Sequence, residues 1–164
     1  MTILRVFPRR TQATPSDKMV VVGSPGLIIP KAERVMISVT FTWDKPRAEI
    51  LAEEWSHYLP TQIGGPAYDD PGHEFHTGMF LKQGYVITTR GCPNRCYGCF
   101  VPSREGALRE LPITNGWDVL DNNLLAASSS HIFKVLRMLK SNHKKSHSLE
   151  AWKLLDFQTG LYPK

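Results

Sequence analysis

The residues of this chain that could do chemistry are its three cysteines. All of them lie between Gly91 and Phe100, as Cys92, Cys96 and Cys99, with the spacing C-x3-C-x2-C. Three thiols this close, in a chain whose start has no apolar signal segment, are typical of a metal-binding loop rather than of a disulfide framework. Three thiolates are one ligand short of a closed four-ligand site, and an open position is what a catalytic metal site requires.

A strand must position this loop. The segment Gly84–Thr89 is rich in β-branched and aromatic residues, which predicts a β-strand directly before the cysteines. The loop then follows the carboxyl end of a strand, where α/β folds place their binding and catalytic residues.

A second polar segment also follows a predicted strand. Trp117–Leu120 has strand composition and leads into Asp121, Asn122 and Asn123. Carboxylate and amide oxygens at that point can accept hydrogen bonds from an ammonium group. The alternative interpretation of the same residues is a polar turn.

With this loop after this strand, the sequence resembles the radical SAM superfamily, whose signature is C-x3-C-x2-C. The resemblance implies a partial (β/α) barrel and a 4Fe-4S cluster whose ligands are Cys92, Cys96 and Cys99. It implies that S-adenosylmethionine (SAM) binds the fourth iron through its amino and carboxylate groups. It also implies an electron donor such as flavodoxin or ferredoxin, and reductive cleavage of SAM to a 5′-deoxyadenosyl radical that acts on an unknown substrate.

The resemblance also assigns residues around SAM. In several families of the superfamily an Asp-Asn type motif after the second strand meets the methionine amine, which implies this role for Asp121, Asn122 and Asn123. The residue before the third cysteine is usually aromatic and packs near the adenine. Here it is Gly98, and Tyr97 is the neighbouring aromatic residue. Arg104 could approach the SAM carboxylate or a substrate anion, pair with Glu105, or face solvent.

The part before the loop predicts a βαβ unit. Residues 1–30 contain four prolines and predict an extended leading segment with one short strand at Met19–Val22. A strand at Arg34–Phe41, a helix from Pro46 to about Tyr58 capped by Asp44, and a strand at Thr61–Ile63 follow. This stretch resembles the end of the Rossmann-like, cobalamin-binding type of domain. Because the pattern Asp-x-His-x-x-Gly is absent, we predict no cobalamin.

The predicted fold is therefore α/β with two regions. Residues 1–83 form a Rossmann-like βαβ piece, and residues 84–164 form the start of a radical SAM barrel. Helical spacing predicts a helix from His131 to about Ser141, capped within Ser128–Ser130, and a last short helix at Leu149–Leu155. The barrel of the superfamily has six βα units, so we expect this chain to be an N-terminal or truncated portion that cleaves SAM slowly.

Three other interpretations of the cysteines stay open. The chain could be a non-catalytic remnant, a zinc-binding module that uses His73 or His76, or a redox protein with a dithiol at Cys96 and Cys99.

Composition limits the partners. A hydrophobic content of 41% supports a packed core, and no apolar run approaches the roughly 20 residues of a membrane helix. We therefore predict a cytoplasmic protein with no membrane partner. The net charge of +5 is compatible with a nucleic-acid partner, but a solvated basic face explains it as well and is the interpretation we favour.

Overall fold

The computed structural model describes residues 2–69 and 75–142. His73 and the predicted short helix at Leu149–Leu155 lie outside these residues. Within them, no helix has both the length and the apolar character that crossing a membrane would need.

The first half of the chain builds one parallel sheet. Its strands are β1 (Ile3–Phe7), β2 (Val20–Val22), β3 (Arg34–Ser38) and β4 (Thr61–Gly64), and helix α1 (Lys45–Ser56) connects β3 to β4. The strand order is β2–β1–β3–β4, and all three pairings are parallel. The predicted α/β class and the β3–α1–β4 unit are confirmed.

The prediction of a single strand within residues 1–30 is wrong. Ile3–Phe7 forms β1 and lies between β2 and β3, and its Leu4 and Val6 are fully buried. The prolines that suggested an extended segment all lie outside this strand, beginning with Pro8 directly after it. The signal for β1 was the short apolar run from Ile3 to Phe7, interrupted only by Arg5, because a run of this length that ends at a proline is consistent with a buried strand.

Helix α1 covers the sheet with one face. Ala48, Leu51 and Trp55 are buried at helical spacing and belong to the same core as Leu4, Val6, Val35, Ile37 and Val39. The indole N–H of Trp55 donates to the backbone oxygen of Gly23 at 3.1 Å, which satisfies its polar atom inside the core. Ile50 and Tyr58, two further apolar or aromatic residues of this stretch, are about half exposed or more.

The predicted capping role of Asp44 is not observed, since its side chain makes no capping hydrogen bond to α1. Instead, Nε and Nη2 of Arg9 donate to Oδ1 of Asp44 at 2.9 and 2.6 Å. The carboxylate is buried, so it requires a compensating charge, and Arg9 provides one from the loop after β1. Asp44 therefore ties that loop to the start of α1.

The second half consists of two-residue strands, one short helix and one longer helix. They are β5 (Tyr85–Val86), β6 (Thr89–Arg90), α2 (Val101–Arg104), β7 (Arg109–Glu110), β8 (Asp118–Val119) and α3 (Ser129–Asn142). β5 pairs with β8 in parallel, and β6 pairs with β7 antiparallel. The described residues show no barrel beyond these pairs, so the start of a radical SAM barrel stays a prediction.

Helix α3 begins at the predicted cap. Oγ of Ser128 accepts a hydrogen bond from the backbone N–H of His131 at 3.2 Å. At the other end, the side-chain amide of Asn142 donates to Oδ1 of Asn115 at 2.6 Å and to the backbone oxygen of Gly116 at 3.0 Å. These bonds hold α3 against the loop that precedes β8.

Arg5 joins the two halves. Its Nη1 atom donates to the backbone oxygens of Gly78 and Met79 at 3.0 and 2.6 Å, and the backbone N–H of Lys82 donates to the oxygen of Ala13 at 2.7 Å. The segment that leads to β5 is thus fixed to the parallel sheet.

Candidate metal centre

The parallel pair β5–β8 sets the geometry of the site. The backbone N–H of Trp117 donates to the oxygen of Gly84 at 2.9 Å, and that of Leu120 donates to the oxygen of Val86 at 2.9 Å. Because both strands run in the same direction, their carboxyl ends meet at one edge. The segment before the cysteines and the segment Asp121–Asn123 leave the sheet at that edge, side by side.

Asp121 is hydrogen-bonded to Thr88, the second residue after β5. The backbone N–H and the hydroxyl of Thr88 donate to the two oxygens of the Asp121 carboxylate at 2.6 and 2.5 Å. Thr88 is fully buried, so both bonds lie where they compensate lost hydration. Asp121 therefore holds the ends of β5 and β8 together.

The next two residues reach the cysteine loop itself. Oδ1 of Asn122 accepts a hydrogen bond from the backbone N–H of Gly91 at 3.0 Å. Nδ2 of Asn123 donates to Sγ of Cys92 at 3.3 Å. Residues 121–123 thus bind positions 88, 91 and 92 in succession, and we call this set of contacts the Asp-Asn-Asn ladder.

The base of the cysteine loop is closed by backbone contacts. β6 enters the loop and β7 leaves it, and the backbone N–H of Cys92 donates to the oxygen of Gly106 at 3.4 Å. Gly91 has a φ of 80°, and a Cβ atom at this position would overlap the carbonyl of Ala107. Only glycine accommodates both the positive φ and the close approach of this carbonyl, so Gly91 allows the two arms of the loop, β6 and β7, to meet at its base.

A buried ion pair also joins the two arms. Nη1 of Arg90 lies 3.1 Å from Oε1 of Glu105, and the exposed fractions of the two side chains are 18% and 7%. The interpretation that Arg104 pairs with Glu105 is wrong. Arg104 instead lies 3.4 Å from the carboxylate of Asp69, with its guanidinium over the ring of Phe100 at 5.1 Å.

The cysteines differ in exposure. Cys92 is half-buried at the base, whereas Cys96 and Cys99 are exposed, and none of the three forms a disulfide. The backbone N–H of Cys99 donates to the oxygen of Cys96 at 3.1 Å, which makes a tight turn with Gly98 at a φ of 74°. The ring of Tyr97 projects into solvent, and a Cβ atom added at Gly98 would have no heavy atom of the described residues within 4 Å.

The donor set fits an iron–sulfur cluster by number and type, since three free thiols stand on one loop beside a strand end. Among the described residues, however, no three His, Cys, Asp or Glu side chains gather as a metal site would need. Cluster binding therefore requires the exposed turn with Cys96 and Cys99 to close toward Cys92. His76, a candidate zinc ligand, belongs to no such group in this part of the chain.

Sequence reasoning missed several residues that shape the site. Thr88 had been assigned only to a strand, and Arg90, Gly91 and Glu105 were given no role in the site. Gly91 carried a signal, because a glycine between a strand and a cysteine loop favours a tight backbone approach. The ion pair of Arg90 with Glu105 joins the two ends of a loop, so no local sequence pattern could have predicted it.

Comparisons of the chain with family models, with curated proteins and with solved structures give no match. The family resemblance of the cysteine loop is therefore carried by the motif alone.

Proposed function

We propose that this protein is a radical SAM protein that binds a 4Fe-4S cluster through Cys92, Cys96 and Cys99 and binds SAM beside Asp121–Asn123. The observation that carries the proposal is the Asp-Asn-Asn ladder, above all the 3.3 Å contact between Asn123 and the sulfur of Cys92. Two segments that the sequence assigned separately to cluster and SAM meet at one edge of the β5–β8 pair. When bound, the cluster supplies the low-potential electron for reductive cleavage of SAM.

The protein's own residues would orient the two cofactors. The amide of Asn123 would hold Cys92 by an N–H···S bond, and such bonds help to set the potential of a cluster. Asp121 and Asn122 already accept bonds from Thr88 and Gly91, yet each of their oxygens has a second lone pair with which to meet an ammonium group.

Three residues further from the ladder would reach SAM only after a movement. Arg104 would have to leave Asp69 in order to reach the SAM carboxylate, and Tyr97 and Gly98 would have to move with the turn to approach the adenine. Free thiols and an iron–sulfur site suit a reducing compartment, so we place the protein in the cytoplasm with flavodoxin or ferredoxin as electron donor. The substrate is not assigned.

The proposal is tested by anaerobic reconstitution with iron and sulfide. We expect iron and sulfide to be incorporated in equal amounts, up to four of each per chain, with broad visible absorbance, and we expect Cys92→Ala, Cys96→Ala and Cys99→Ala each to lose the cluster. Three ligands leave no spare, because the sequence contains no other cysteine. Asn94→Ala, an exposed change in the same loop, is the matched control and should keep the cluster.

The same preparation separates the proposal from its main alternative. Tight binding of one zinc per chain, with no incorporation of iron and sulfide, would favour a zinc module or a non-catalytic remnant. Wild-type iron content in any one of the three cysteine variants would show that the ligand assignment is wrong.

A further inference from the structure

A cavity of about 680 Å³ lies between the parallel sheet and the second half of the chain. Its floor is formed by the carboxyl ends of β3 and β4, through residues 36–38 and 62–64. The segment before β5 covers it, and residues from β6 and from the end of β8 close one side. Crevices outside the carboxyl ends of parallel strands are where open α/β sheets bind ligands.

Most of the residues that line the cavity are apolar. Thioether, aromatic and aliphatic side chains from four separate segments face the cavity, among them Met36, Ile63, Phe75, Met79, Phe80 and Leu120. Methionine sulfur and aromatic rings both make favourable contacts with an aromatic ring. These apolar lining residues therefore favour a planar apolar ligand.

One side chain among the described residues that line the cavity carries a permanent charge, and one more, His76, is ionisable. Among the described residues that line it, Arg90 is the one Lys, Arg, Asp or Glu side chain, and it is paired with buried Glu105. The second oxygen of that carboxylate, Oε2, is buried without a hydrogen-bond partner in the described structure. An anionic ligand that drew Arg90 away would leave Glu105 as an uncompensated buried charge, which is strongly unfavourable.

Neutral polar groups remain to orient a ligand. Ser38, Thr40 and Gln62 line the cavity at the ends of β3 and β4 and supply hydroxyl and amide groups. The turn after β4 is rigid at Gly65, which has a φ of 104° and whose added Cβ would lie 2.8 Å from the backbone oxygen of Val39. The polar edge of the cavity is thus fixed by tight backbone packing.

We propose that this cavity binds a small, uncharged aromatic molecule with one or two neutral hydrogen-bonding groups. Its volume is within the roughly 300–1,000 Å³ of small-molecule sites. The site does not require a cluster, although Arg90 stands two residues before Cys92 and brings the ligand close to the cysteine loop.

A matched pair of fluorescent probes tests the charge and the ring. N-phenyl-1-naphthylamine is neutral, and 1-anilinonaphthalene-8-sulfonate has the same ring system with a sulfonate. We expect the full chain to bind the neutral probe at one site, at least about tenfold more tightly than the sulfonate, because the sulfonate competes for Arg90. Absence of saturable binding, or tighter binding of the sulfonate, would overturn the proposal.

Variants locate the site. Leu120 lines the cavity and Leu125 does not, and both are exposed leucines, so Leu120→Arg should weaken the neutral probe about tenfold or more while Leu125→Arg should not. Thr40→Trp and Thr42→Trp form a second pair in which only Thr40 lines the cavity, and this pair decides the question if Leu120→Arg fails to fold. Equal effects of the two members of the deciding pair would refute the location.

The cysteines provide the last control. Cys96→Ser should retain wild-type binding of the neutral probe although it cannot hold a cluster, because Cys96 does not line the cavity. Probe binding and cluster binding are thereby measured independently. The cavity proposal can hold if the protein binds no cluster, and the proposed function can hold if the cavity binds no probe.

Discussion

At the scale of single residues, Thr88 and Thr89 show how the site is held. Both side chains are fully buried, but they differ in one respect. The hydroxyl of Thr88 donates to Asp121, whereas Oγ1 of Thr89 has no hydrogen-bond partner in the described structure. A bonded buried hydroxyl stabilises the fold and an unbonded one costs free energy, so the pair offers a matched experiment.

We predict that Thr88→Val lowers the free energy of unfolding by about 1.5–3 kcal/mol, the range for hydrogen bonds to charged groups. Valine keeps the shape of threonine, so the loss reports the bond to the Asp121 carboxylate. Thr89→Val should be neutral or slightly stabilising, because no bond is lost there. Urea unfolding followed by circular dichroism measures both, and equal losses in the two variants would contradict the assigned role of Thr88.

At the scale of elements, the predicted strand over residues 84–89 is interrupted for a physical reason. β5 ends at Val86 and β6 begins at Thr89, because the backbone N–H of Thr88 donates to the side chain of Asp121 rather than to a neighbouring strand. The partner lies 33 positions away in the sequence. Composition could predict that these residues are extended. It could not predict which of their backbone N–H groups would donate a hydrogen bond to a side chain instead of to a neighbouring strand.

The β3–α1–β4 unit was predictable because its signals are local. Runs of β-branched residues, apolar positions at helical spacing and the sequence Gly64-Gly65-Pro66 at the end of β4 each specify their own element. The cap of α3 at Ser128 was local too. The bonds of Arg9 to Asp44 and of Asn123 to Cys92 instead join residues that are far apart in the sequence and meet only in the folded chain. The sequence could therefore locate each residue in an element or loop but could not predict its partner.

Glu110, at the end of β7, stabilises the start of α3. Its carboxylate accepts a hydrogen bond from the backbone N–H of Ser128 at 2.7 Å, and this bond, with smaller effects from His131 and Lys134, lowers the pKa of Glu110 below its usual value of 4.5. A negative charge at a helix N-terminus also interacts favourably with the helix dipole. β7 and α3 are thus coupled through one ionised group.

We predict that Glu110→Gln lowers the melting temperature at pH 7 and that the difference fades in acid. A lowered folded-state pKa means that the stabilisation is present above pH 4.5 and is lost as the pH falls through the folded value. Thermal melts from pH 7 to pH 3 measure the effect. Glu33→Gln, at an exposed position before β3, is the control, and a difference from wild type that stays constant down to pH 3 would contradict the explanation.

At the scale of the whole molecule, the two halves differ in how well they are packed. The buried core cluster contains the parallel sheet, α1 and Ala67, whereas the cysteine loop is exposed from Pro93 to Phe100. The ladder fixes only Cys92 and the base of that loop. A rigid base with an open outer turn can receive a cluster, but it gives little protection from water.

This contrast predicts slow chemistry. Because Cys96, Cys99 and Tyr97 lie in solvent, we expect the reconstituted 164-residue chain to hold its cluster weakly and to cleave SAM without coupling to a substrate. Radical chemistry needs a dry site with its reactants in line, and a misplacement of about 1 Å can cost roughly 10²-fold in rate.

The test is reduction with dithionite in the presence of SAM, followed by chromatography for 5′-deoxyadenosine. The rate of SAM cleavage should be well below roughly 1 s⁻¹, the lower end of typical kcat values. Cys92→Ala should give none, which separates cluster-dependent cleavage from background. A wild-type rate above that value would mean that the turn closes over the cofactors more completely than its exposure in this structure implies.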